Sequence, residues 1–191
     1  GDSEPLSFLE GGMIAHLADG SGVCAHGGSV IHAAVTTADN PDAVDDFLPL
    51  TVDYRSRAYA FGRIPSVHNR RERHGNNEDE VLISRIIDRA VRPLFPKGLV
   101  NQVQLIATAH AADKVHDPTI LSVNAASLAL MRSSVDWRGP IGCVRVGMVD
   151  GKLVLHPTVE QMQSSTLDLV YAGTVSRTLM LECVGNQVPE D

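Results

Sequence analysis

Arg85, Arg89 and Arg92 recur at i, i+4 and i+7. On a helix that spacing sets three guanidinium groups on one face. Three like charges on one face weaken a helix unless something anionic offsets them. Asp88 can pair with Arg85 or Arg92, but one carboxylate cannot neutralise all three. Two readings follow. The face is a clamp on a phosphate backbone, or it is a solvated or interface face whose acidic partners lie elsewhere in the fold. A second cluster is His68-Asn69-Arg70-Arg71-Glu72-Arg73. Adjacent Arg70 and Arg71 in a loop can hold a phosphate backbone from both sides; an ordinary polar loop reads equally well.

Charge distribution supports a polyanion at one place. The net charge is −7 over 191 residues, which by itself argues against nucleic acid. Yet ten of the sixteen basic residues lie between Arg55 and Lys97, against five acidic ones. Nine of those ten are arginine, the side chain suited to bidentate phosphate contacts. A basic patch on an acidic body favours one defined site over diffuse sticking.

Other chemistry is discounted. Gly20-Ser21-Gly22-Val23-Cys24-Ala25 fits a degenerate dinucleotide fingerprint, but it is followed by a strand pattern rather than a helix. The eight histidines show no His-x-x-x-His spacing, so no metal site is predicted. Ser164-Ser165-Thr166 reads as a turn, since no His–Asp pair can be assigned to it. Cys24, Cys143 and Cys183 are far apart and odd in number, which predicts neither a disulfide framework nor a zinc knuckle. No apolar run approaches the roughly 18 residues that span a bilayer, and no membrane insertion is expected.

The elements that must position these residues alternate. Residues 12–18 and 29–37 read as strands, the second rich in β-branched residues. Leu48 to Tyr54 is a third, with Leu48, Leu50, Val52 and Tyr54 on one face. Gly62 to Asn77 reads as loop. Asn77 caps a helix over 78–92 whose apolar stripe is Ile83, Ile87 and Val91, and Pro93 ends it. Val103 to Ala109 is a buried strand. Asp117-Pro118 opens a second helix, small and apolar, predicted to be central. Asp150-Gly151 joins a hairpin of 144–149 and 153–155. Leu167 to Tyr171 and Thr178 to Glu182 form another pair. Interleaved helices and mixed strands predict an α+β fold.

Two longer strings carry a resemblance. Phe61-Gly62-Arg63-Ile64-Pro65 with Arg70-Arg71-Glu72, then Ile83 through Arg85-Ile86-Ile87-Asp88-Arg89-Ala90-Val91-Arg92-Pro93-Leu94-Phe95-Pro96, resemble the first core domain of the polynucleotide phosphorylase family. Gly139-Pro140-Ile141-Gly142, Val144-Arg145-Val146-Gly147 and Leu167-Asp168-Leu169-Val170-Tyr171-Ala172-Gly173 extend it. The resemblance implies an RNase PH-like (ribosomal protein S5 domain 2-like) mixed sheet with packed helices. It divides the chain into an N-terminal tail at 1–10 and a first RNase PH-like domain at 11–191, cut before its closing helix. It implies a 3′-to-5′ exoribonuclease that uses inorganic phosphate and Mg²⁺ and releases nucleoside diphosphates. It implies single-stranded RNA as partner, a homotrimeric ring, and second RNase PH-like, KH and S1 domains in the same protein. His68, Asn69, Arg70, Arg71, Arg85, Arg89 and Arg92 become the RNA-binding residues. Val52-Asp53-Tyr54-Arg55 resembles animal mitochondrial members, which implies a mitochondrial protein.

The same resemblance predicts no catalysis by this domain. The family's arginine before Gly-x-Thr is matched by His26, and its serine-rich phosphate loop by Asp117-Pro118-Thr119-Ile120. One metal-binding aspartate is matched by Asp168, the other by Met162, and the catalytic lysine by Val170. Neither metal nor phosphate is expected on this chain. The two aromatics before the paired arginines in bacterial members are His68-Asn69 here, which reduces stacking on bases. Two alternatives stay open: a free-standing active RNase PH-type nuclease, and a purely structural ring subunit.

Overall fold

The alternation in Ser29–Ala38 decides how the first layer is built. Ile31, Ala33 and Val35 are buried, while His32, Ala34 and Thr36 face the other side, as the two-residue period of a strand requires. The computed structural model describes residues 7–39, 48–64 and 78–186. Five strands form the first sheet: β1 (Ser7–Gly11), β2 (Gly20–His26), β3 (Ser29–Ala38), β4 (Leu50–Ser56) and β5 (Gln102–Ala111), in the order β1-β2-β3-β5-β4. β4 runs parallel to β5 and the other pairs are antiparallel. The second sheet is antiparallel: β6 (Gly142–Val149), β7 (Lys152–Leu155), β8 (Leu167–Gly173) and β9 (Thr178–Gly185), ordered β7-β6-β8-β9.

Helix α2 (Pro118–Arg132) lies between the two sheets. Val123, Ala125, Ala126, Ala129 and Leu130 are essentially inaccessible, so it is buried nearly all round, as its composition predicts. Asp117 caps it, accepting from the Thr119 amide at 2.9 Å. Asn124 bridges to the second sheet by pairing with the Cys143 backbone, donating at 3.1 Å and accepting at 2.8 Å. Helix α1 (Glu78–Val91) packs on β4 and α2 through Ser84, Ile87, Ala90 and Val91. The fold is the α+β arrangement predicted, a mixed sheet with packed helices. No helix among the described residues is long and apolar enough to cross a membrane.

Some elements differ from expectation. Residues 12–18 form turns rather than a strand. Gly12 and Ala15 hold positive φ of 82° and 59°, and a strand cannot pass through that region. The chain there folds back, the Gly12 amide donating to the Ser21 carbonyl at 3.1 Å. The strand falls instead on Gly20–His26, the stretch set aside as a fingerprint. Strand β1 includes residues 7–10, read as tail. A short helix α3 (Val159–Ser164) was not anticipated, although Thr158 and Gln161 form a capping box that marks its start.

Candidate nucleic-acid interface

The three helical arginines do different work. Arg92 donates to both Asp88 oxygens, at 2.9 and 2.6 Å, and its remaining fork reaches the carbonyls of Leu48 and Leu50 at 3.4 and 3.2 Å. It therefore ties the end of α1 to the start of β4. The hydrogen bond to Asp88 holds the Arg92 pKa above its ordinary value, against the opposing effect of burial. Arg89 pairs with Glu182 on β9, the distant carboxylate that the interface reading requires. Arg85 is exposed. His68, Asn69, Arg70 and Arg71 lie outside the described residues.

A second charged cluster was not read from the sequence. Arg145 on β6 donates to Asp168 on β8 through Nε at 2.8 Å and Nη2 at 2.6 Å. Its other terminal nitrogen donates to Asp117, the cap of α2. One guanidinium thus spans both carboxylates and joins α2 to the second sheet. The Asp168 hydrogen bond holds the Arg145 pKa above its usual value, with burial opposing. The signal was available: Val144-Arg145-Val146 puts a charge on a strand position whose neighbour Cys143 leads into the interior. Its two partners are 28 and 23 residues away in sequence, beyond what spacing reveals.

This cluster separates two cavities, of about 540 and 820 Å³, both lined by Asp117 and Arg145. Asp168 and Val170 line the larger. Around the smaller gather His26 at the end of β2 and His116 and His156 from two loops, with ring centroids 4.6 Å apart for His26–His116 and 6.0 Å for His26–His156. Burial lowers the pKa of His26 and of His156, and the neighbouring imidazoles lower both further. Asp113 fixes His116 within the group. It accepts from the His116 ring at 2.6 Å and from the amides of Gly28, Val115 and His116. Burial would raise its carboxyl, but the His116 backbone and ring, with the Val115 and Gly28 amides, hold it well below the carboxylate range.

These residues do not fit a Mg²⁺ ion. Mg²⁺ needs several oxygen ligands in an octahedron. The Asp168 carboxylate is occupied on both oxygens by Arg145. Met162 lies close by, its sulfur 3.2 Å from where a β-carbon at Gly147 would stand, and Gly147 pairs with Asp168 across the sheet. A thioether there supplies no hard donor.

Residues 7–136 match the 3′ exoribonuclease family, domain 1, and residues 139–191 match domain 2 of the same family. The chain belongs to the 3′ exoribonuclease family. Within that family it is 46% identical over 183 residues to the polyribonucleotide nucleotidyltransferase of Methylobacterium sp., covering 96% of this chain and 25% of the relative. It is 43% identical over 186 residues to that of Thermomicrobium roseum, covering 97% of this chain and 23% of the relative. The chain therefore spans about a quarter of the length of these relatives. The crystal structure of rice (Oryza sativa) Rrp46 superposes with a TM-score of 0.74 at 13% identity, over 98% of this chain and 84% of that one. That likeness supports the RNase PH-like fold.

Proposed function

We propose that this chain is the RNA-binding, ring-forming first core domain of a 3′-to-5′ phosphorolytic exoribonuclease, and that it performs no phosphorolysis itself. The observation that carries this reading is Arg145 held between Asp117 and Asp168. Phosphoryl transfer needs free cationic charge and metal-binding oxygens aimed at the reacting phosphate. Here the one cation is held by two carboxylates, which leaves the cluster net negative and the cation unavailable to a phosphate, and Val170 adds only an apolar wall. The whole protein, with a second RNase PH-like domain followed by KH and S1 domains, would supply the Mg²⁺- and phosphate-dependent site.

RNA contact rests on the exposed Arg85 and on the paired arginines Arg70 and Arg71. Arg89 and Arg92, engaged with Glu182 and Asp88, fit the structural part of the reading better. Assembly as a homotrimer and residence in mitochondria extend the same proposal; size-exclusion chromatography with light scattering tests the first, imaging of the tagged full-length protein the second. The direct test incubates the purified chain with single-stranded RNA, inorganic phosphate and Mg²⁺. RNA should be retained and no nucleoside diphosphate released. Release at an ordinary enzymatic rate overturns the proposal in favour of a free-standing nuclease. Absence of RNA binding favours a purely structural ring subunit.

A further inference from the structure

We infer that Tyr59 and His110 form a stacking platform for one unpaired base of single-stranded RNA, flanked by Arg57 and Arg63. The inference rests on the RNA-binding reading above and adds residues that reading does not use.

Strands β3 and β5 slip register between Val30 and Ile31: Val30 pairs with Ala111 and Ile31 with Ala109. His110 is therefore the extra residue of a β-bulge. Bulges re-aim a side chain and gather beside functional sites. His110 is exposed on the sheet, 5.8 Å from the His32 ring between centroids.

Tyr59 meets it from a rigid support. It sits in the 3-10 turn Ala58–Phe61, whose Ala60 is buried. Gly62 ends the turn at φ 66°, a conformation that glycine adopts without strain. The Ala112 amide donates to the Ala60 carbonyl at 3.0 Å, and the Arg63 amide to Ala58 at 2.9 Å. The backbone is thereby fixed to the end of β5. Tyr59 is nonetheless 59% exposed. Its hydroxyl shares a 3.1 Å hydrogen bond with His110 Nδ1, and the two ring planes lie within 24° of parallel, their centroids 6.4 Å apart.

A large exposed aromatic ring held in one orientation has already lost the freedom that binding would otherwise cost. Two nearly parallel rings, hydrogen-bonded to each other, offer aromatic faces on which a base can stack. Arg57 precedes the turn and Arg63 follows it, both exposed, so a cation stands at each end. Aromatic faces between cations are the composition that binds single strands without base preference.

The test measures affinity of the chain for a labelled single-stranded oligoribonucleotide across a salt series. Tyr59→Ala should weaken binding about tenfold and leave the salt slope unchanged, because no charge is removed. Tyr59→Phe keeps the ring and should stay within about twofold of the parent. Replacing Arg57 and Arg63 together with Ala should shallow the slope by about 1.4. Duplex RNA, whose bases are already stacked, should be indifferent to Tyr59→Ala. Unchanged single-strand affinity in Tyr59→Ala, with the parent binding, overturns this inference alone. A parent chain that binds no RNA overturns the RNA reading and this inference with it.

Discussion

Arg85 on α1 and Arg92, just past its end, stand seven residues apart and have different fates. Arg92 spends its fork on Asp88 and on two β4-edge carbonyls, and a hydrogen bond to a charged group is worth about 1.5–3 kcal/mol. Arg92→Ala should therefore lower stability by about 2 kcal/mol, while Arg85→Ala should change it by less than about 0.5 kcal/mol and weaken RNA binding instead. Denaturant melts paired with RNA titration separate the two. The i, i+4, i+7 spacing was legible and so was the Asp88 pair. Which arginine the fold consumes was not, because Glu182 lies 93 residues from Arg89 and the Leu48 carbonyl lies 44 residues from Arg92. The family resemblance implied that His26, Asp117, Met162 and Val170 stand where the family carries its phosphate- and metal-binding groups. Arg145, which bridges Asp117 and Asp168, was not legible, since its partners lie 28 and 23 residues away in sequence.

Helix α2 is the element on which both sheets depend. Leu130 is 1% exposed and the helix touches β2, β3, β5 and β6. Leu130→Ala leaves a cavity that two sheets cannot close together, and should cost about 3 kcal/mol, read as a lower denaturation midpoint at unchanged slope. This helix was legible from its Asp117-Pro118 start and its small apolar run, and the hairpin around Asp150-Gly151 from its turn residues. Strand placement near the N-terminus was not. Met13, Ile14 and Leu17 look like strand interior but are exposed, because the turn at Gly12 and Ala15 releases them while β2 takes the interior position.

For the whole molecule, the perturbed groups that titrate below neutrality act in one direction. Burial lowers the pKa of His26, His32 and His156 from an ordinary 6.5. Each takes up its proton at lower pH when folded than when unfolded. Between those two values the unfolded chain holds more protons, so stability falls as pH falls. Asp113, depressed from an ordinary 3.8, adds a second loss at lower pH, once unfolded carboxylates protonate and the folded one resists. Stability should be flat just above pH 7, begin to decline near pH 6.5 and decline again below about pH 4; melts at stepped pH check it. Asn replacing Asp113 should remove the lower step.

The three thiols also differ by position. Cys24 and Cys143 are buried against α2, and burial pushes each thiol up to about 12. Cys183 stands exposed on β9, next to the Glu182 that holds Arg89. Thiolate is the reactive form, so an electrophile should modify one site in the native chain and three after unfolding. Mass spectrometry after brief maleimide treatment would count them. The unaltered chain thereby carries its own single attachment point for a fluorophore, next to Glu182 of the ion pair joining α1 to the second sheet.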